Sequence, residues 1–164
     1  MPIPIVLRPL LLAVPLVALL VGCSGDGTPD LDVGDAQAAE PTSGSSQIVL
    51  EISNEGDGDD ALIAAETDAA VGVEIHLTEV DDEGSATMRE LEDAELPAGE
   101  TTTFRPGGLH LMMIGTNEEV EVGGTFDVTL EFERSEPVTI PVEVVEVLDL
   151  AEPDADEEAG DHDD

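Results

Sequence analysis

An all-β fold, an antiparallel β-sandwich or small barrel, is what this chain predicts, and three observations carry the expectation. Apolar and polar residues alternate with period two in several separate segments, clusters of Gly, Pro, Asn and Asp recur between those segments, and no stretch repeats its apolar residues at the 3.6-residue period of a helix. Of the 164 residues, 41% are hydrophobic, which is enough for one domain of about 100 residues with tails left over.

From the N-terminus, one cation, Arg8, precedes the apolar run from Leu10 to Val21, which Pro15 interrupts and which is too short to span a bilayer comfortably. The run ends in Leu20-Val21-Gly22-Cys23, and this resembles the lipobox of bacterial lipoproteins. Cys23 is the single Cys of the chain, so no other thiol competes for acylation. The resemblance implies a signal peptide over 1–22, a lipidated Cys23 and a protein held on the extracytoplasmic face of the cell membrane. Two acyl chains anchor stably where one is marginal. Residues 23–46 are mostly Gly, Asp, Pro, Ala, Ser and Thr and read as a flexible tether.

The domain is expected over 47–147. Ile48, Leu50 and Ile52 mark the first strand; Val71, Val73, Ile75 and Leu77 a second; Phe126, Val128, Leu130 and Phe132 another; Val138, Ile140, Val142 and Val144 the last. Turn chemistry separates these strands at Asn54-Glu55-Gly56-Asp57-Gly58, Asp81-Asp82-Glu83-Gly84, Leu96-Pro97-Ala98-Gly99, Arg105-Pro106-Gly107-Gly108 and Val122-Gly123-Gly124. The acidic loop at Asn54 lacks the spacing of an EF-hand and reads as a hairpin turn. Residues 148–164 form an acidic tail, in which His162 sits among Asp161, Asp163 and Asp164.

Charge excludes whole classes of partner. Four Lys plus Arg against 40 Asp plus Glu give a net charge of −36, with no Trp, no Tyr and three Phe. Nucleic acids need clustered cations and aromatic platforms, so none is expected as a partner. The same acidity suits a salt-adapted surface kept soluble by repulsion or, as the alternative, a field that concentrates a cation or steers a basic partner. Neither a Gly-x-Ser-x-Gly nor a His-Glu-x-x-His motif is present, and no enzymatic activity is expected.

Alternation also separates residues from the core. Val73, Ile75 and Leu77 point inward, which places Glu74, His76 and Thr78 on the other face, exposed or at a rim. Met88 falls in phase with the polar residues Glu90 and Glu92. Leu109, Leu111 and Met113 share one face, leaving His110 and Met112 together on the opposite one. Imidazole and thioether are neutral, borderline-to-soft donors that match Cu(I) better than zinc, calcium or magnesium. A blue-copper electron carrier is excluded, because its site needs a Cys thiolate.

The spacing His76, eleven residues, Met88, twenty-one residues, His110, one residue, Met112, with Pro106-Gly107-Gly108-Leu109 leading into the second His, resembles the PCu(A)C family of extracytoplasmic copper chaperones. The position after the first His, often Met in that family, is Leu77 here. The resemblance spans roughly Gln47 to Val147. It implies a cupredoxin-like sandwich, one Cu(I) held by His76, Met88, His110 and Met112, and delivery toward the copper-centre subunit of cytochrome c oxidase or another copper acceptor. The competing expectation is a lipid-anchored structural or adhesive β-sandwich whose His and Met are incidental.

Overall fold

The computed structural model describes residues 27–81, 83–118 and 120–150. The expected signal peptide 1–22, the candidate lipidation residue Cys23 and the acidic stretch 151–164 with His162 lie outside the described residues. Strands follow one another as β1 (Leu31–Val33), β2 (Ala36–Ala39), β3 (Ser45–Asn54), β4 (Asp60–Glu66), β5 (Ala70–Val80), β6 (Ala86–Leu91), β7 (Ala94–Leu96), β8 (Thr101–Phe104), β9 (Leu109–Thr116), β10 (Thr125–Phe132) and β11 (Val138–Val145), before a single 3-10 turn at Val147–Asp149. The all-β expectation is met.

Neighbours run β6-β5-β9-β3-β2-β11-β10-β4-β7, with β1 and β8 attached to β3. The pairs are antiparallel except β2 with β11, which align in parallel from Val142 opposite Ala36. The long strand β3 serves two sheets. Its first half pairs with β2 and β9, Ile48 standing opposite both Ala38 and Leu111. Its second half pairs with β1 and β8, where Ile52 faces Val33 and Leu50 faces Phe104. A strand that changes sheets in this way turns the corner of a sandwich and closes the core.

The period-two residues fill that core. Ile48, Leu50, Ile52, Val128, Leu130, Val142 and Val144 are all buried, together with Phe104, Leu111 and Met113. Each such side chain contributes about 1.5–3 kcal/mol over its exposed state. Val71 departs from its expected phase and is 88% exposed. It lies at the start of β5, where its side chain covers the backbone of Gly115, a residue with φ +67° at which a Cβ would overlap Val71.

The expected tether over 23–46 is corrected by β1, β2 and the start of β3, which place much of that segment in the sheets. Alanines give a weak hydrophobic signal, yet Ala36, Ala38 and Ala39 are buried because β2 is paired on both sides. Main-chain bonds extend the pairing: Gly34 N–H donates to Glu51 O at 2.9 Å and Glu40 N–H to Val145 O at 2.8 Å. The described chain is held to the body from its first residue, since Arg134 Nη2 donates to Gly27 O at 2.6 Å and Thr28 N–H to Asp57 Oδ1 at 2.8 Å.

Two buried polar residues fasten this corner. Asn54 Nδ2 donates to Gly58 O and Leu96 O, each at 2.9 Å, while its Oδ1 accepts from Asp30 N–H at 3.2 Å and Gly56 N–H at 3.1 Å. The loop at Asn54 is thus a turn organised by its own first residue, with the side-chain amide fully used. Asp60 accepts from Ala61 N–H, Arg134 N–H, Ser135 N–H and Ser135 Oγ at 2.8, 2.9, 3.0 and 2.5 Å. Burial alone would raise its pKa, but the hydroxyl of Ser135 and the three amides hold it below the ordinary carboxylate value.

Candidate metal centre

The Arg105–Gly108 turn sets up the first half of the site. Pro106 fixes φ at the second position and Gly107 supplies φ +72° at the third, so the chain reverses into β9 in the manner of a type II turn. Gly108 N–H donates back to Arg105 O at 3.2 Å. The Gly108 carbonyl then faces β5, accepting from Thr78 N–H at 3.0 Å and from His110 Nδ1–H at 2.9 Å.

Register brings the expected residues to one face. His76 of β5 stands directly opposite His110 of β9, and Glu74 stands opposite Met112. On the other side of β5, Thr78 is opposite Met88 and His76 opposite Glu90. Because side chains alternate, Glu74, His76, Met88, Glu90, His110 and Met112 all lie on the face away from Ile75, Leu111 and Met113. The two imidazoles meet edge to face, with ring centroids 5.9 Å apart and planes at 79°.

Exposure corrects one expectation. Neither histidine is a surface residue: His76 is 9% exposed and His110 2%. Alternation reports which face a side chain takes, and not what that face meets; here each ring shields the other. Met88 is 51% exposed on β6, an edge strand, and Met112 is half-buried.

Burial makes the histidine nitrogens informative. His76 Nε2 bonds Glu74 Oε2 at 2.8 Å, which leaves Nδ1 buried with no partner. His110 is engaged at Nδ1, which leaves Nε2 buried with no partner. A buried polar atom left unpaired costs about 1–3 kcal/mol, and such atoms are rare away from functional sites. The His110 pKa is lowered, chiefly by burial and further by the adjacent His76, against the opposing pull of the Gly108 carbonyl. At neutral pH its Nε2 is therefore a bare lone pair.

Two unpaired imidazole nitrogens on adjacent strands fit a metal that accepts neutral nitrogen donors. Among the described residues no three of His, Cys, Asp and Glu are grouped to hold a metal. Nitrogen and carboxylate donors thus do not complete a site by themselves, and the soft donors that share the face are the thioethers of Met88 and Met112. Glu74 was not singled out from the sequence, though its place two residues before His76 puts both on one face of the strand.

Comparison with known proteins follows the same lines. A family model described as "Putative lipoprotein LpqE-like" matches residues 31–144. "Putative lipoprotein Lxx21020" of Leifsonia xyli subsp. xyli is 32% identical over 131 residues, covering 78% of this chain and 76% of the relative. Among solved structures, the copper-bound PCuAC domain from PmoF2 superposes with a TM-score of 0.60 at 23% identity, covering 71% of this chain and 92% of that one. The Cu(I)-bound solution structure of DR1885 from Deinococcus radiodurans gives 0.60 at 23% identity, over 77% and 85% of the two chains. These structures establish that the architecture is that of PCuAC domains, the cupredoxin-like sandwich that the family resemblance implied. With the family match running from β1 into β11, the chain belongs to the LpqE-like family, built on a PCuAC fold.

Proposed function

We propose that this protein is a lipid-anchored extracytoplasmic copper chaperone that takes up one Cu(I) through His76, Met88, His110 and Met112 and passes it toward the dinuclear copper centre of cytochrome c oxidase. The observation that carries the reading is the pair of buried, unpartnered nitrogens, His76 Nδ1 and His110 Nε2, on a face shared with two methionines. Copper is the cargo here and the protein binds and releases it without turnover.

The chemistry of the donors argues for the oxidation state. Two imidazoles and two thioethers form a neutral, soft set suited to Cu(I), whereas Cu(II) prefers nitrogen and oxygen donors in tetragonal geometry. Exposure of Met88 on an edge strand supports hand-over, since an acceptor can reach that donor without unfolding the sheet. Two solved structures of the same fold, the copper-bound PmoF2 domain and Cu(I)-bound DR1885, support the same cargo. The family and relative names support a lipoprotein, and the lipobox-like Leu20-Val21-Gly22-Cys23 supports Cys23 as the residue that would carry the lipid.

Titration of the soluble chain carrying Cys23→Ser with Cu(I), in competition with a chromophoric chelator, tests the reading. One equivalent bound, with Cu(II) held more weakly, is the expected result. A folded chain that takes up no Cu(I) would leave the structural or adhesive β-sandwich in its place. The same substitution in the full-length chain tests the anchor: detergent partitioning and processed mass identical to the parent would rule out acylation at Cys23.

A further inference from the structure

We infer that the two histidines offer different nitrogens to the metal, His76 through Nδ1 and His110 through Nε2, and that Glu74 is the positioning residue that sets this asymmetry. The inference rests on the copper reading above and adds the atoms and the residue that orient them.

The hydrogen bonds dictate it. An ionised carboxylate only accepts, so at 2.8 Å the proton between Glu74 Oε2 and His76 Nε2 belongs to the histidine. A backbone carbonyl also only accepts, so at 2.9 Å the proton between Gly108 O and His110 sits on Nδ1. The remaining nitrogens, His76 Nδ1 and His110 Nε2, are the two buried atoms that have no partner. One histidine is therefore tied at the far end of its ring and free at the near end, and its cross-strand neighbour is tied at the near end and free at the far end. From directly opposed positions on β5 and β9, two rings held in this way meet edge to face at 5.9 Å instead of stacking side by side.

The two ties differ in kind. His110 is fixed by main chain, which no substitution at Gly108 removes. His76 is fixed by a side chain, and Glu74 can be changed. Glu74 also stands opposite Met112 on the same face, and 41% of its side chain is exposed, so it flanks the donors from the solvent side. Carboxylates that accept the second N–H of a ligating histidine fix the tautomer and raise the basicity of the other nitrogen. Here the carboxylate further offsets the single positive charge that Cu(I) brings to four neutral donors.

The test reads tautomers in the metal-free protein. Long-range proton–nitrogen correlation spectra of the Cys23→Ser chain, labelled at histidine nitrogen and in mildly alkaline buffer, should show His76 protonated at Nε2 and His110 at Nδ1. On adding Cu(I), the resonances of His76 Nδ1 and His110 Nε2 should shift most. Glu74→Ala should let His76 populate both tautomers and lower Cu(I) affinity about 10–100-fold, leaving the His110 tautomer as it was. Glu74→Gln, whose carbonyl still accepts the N–H, should restore most of that loss, and melting curves of both variants report folding separately. A parent His76 protonated at Nδ1, or a Glu74→Ala variant with parental tautomer and affinity, overturns the inference while leaving Cu(I) uptake itself intact. Failure of the parent to take up Cu(I) would instead remove the chaperone reading, with the metal-free tautomers still on record.

Discussion

Replacing His110 by leucine should stabilise the metal-free protein and abolish most of its copper affinity. The unpartnered Nε2 of His110 costs about 1–3 kcal/mol in the apo state, a penalty that an apolar side chain does not carry. Against that gain stands the hydrogen bond from Nδ1 to Gly108 O, worth about 1 kcal/mol net. Its acceptor is not stranded by the substitution, because Gly108 O keeps the amide of Thr78 at 3.0 Å. The difference leaves the variant ahead by about 1 kcal/mol, a rise in Tm of about 3–5 °C for a domain of this size. Saturating Cu(I) should invert the order. A ligand at about 1,000 times its Kd adds about 4 kcal/mol to the native state, and only the parent has the donors to collect it. Denaturant unfolding and thermal melts, with and without Cu(I) under reducing conditions, measure both arms. A metal-free His110→Leu variant less stable than the parent by more than about 2 kcal/mol would refute the reasoning, since that loss belongs to a side chain whose polar atoms are all paired.

Met88→Leu and Met112→Leu should each fold at a cost below about 1.5 kcal/mol, because volume and apolarity are kept, while Cu(I) affinity falls at least about 10-fold in chelator competition. Mild peroxide should oxidise Met88 first and Met112 more slowly, and spare Met113, which is 0% exposed; Cu(I) should protect Met88 and Met112, as peptide mass spectrometry would show. Asp60 has a folded-state pKa below its ordinary value, so it contributes stability that is present above about pH 4 and is lost as pH falls through the folded value. The stability gap between the parent and Asp60→Asn, followed by denaturant unfolding from about pH 6 to pH 2, should therefore narrow toward the acid end.

How far the molecule could be read from its residues differs from element to element. Strands whose apolar residues alternate cleanly, such as Phe126-Asp127-Val128-Thr129-Leu130, were legible because burial on one face writes itself as period two, and Ile48, Leu50 and Ile52 kept that period even though Val49 between them is buried as well. β2 was not, since Ala36, Ala38 and Ala39 carry little hydrophobic signal and its place depends on a parallel partner more than 100 residues away. For the candidate site, parity along β5 and β9 put His76, His110 and Met112 on a common face, and the structure agrees. The burial of the two rings was illegible, because it depends on cross-strand register, which sets His76 against His110. Glu74 was harder to single out: its place two residues before His76 puts both on one face, but among 40 acids what marks it is the hydrogen bond to His76, which a sequence does not show.

On the proposed function, the pinning of Gly27 limits where copper could be exchanged. A loose leader from Cys23 to Ser46 would reach about 80 Å at full extension and let the domain range through the space beyond the membrane. Arg134 and Asp57 clamp the chain at Gly27 and Thr28 instead, and the four residue steps back to Cys23 span at most about 14 Å. On the proposed anchor, the protein is moored close to the bilayer and moves mainly in two dimensions. Any acceptor must then present its copper-receiving surface within a domain's height of the lipid headgroups, and encounters between them are set by lateral diffusion in the membrane plane.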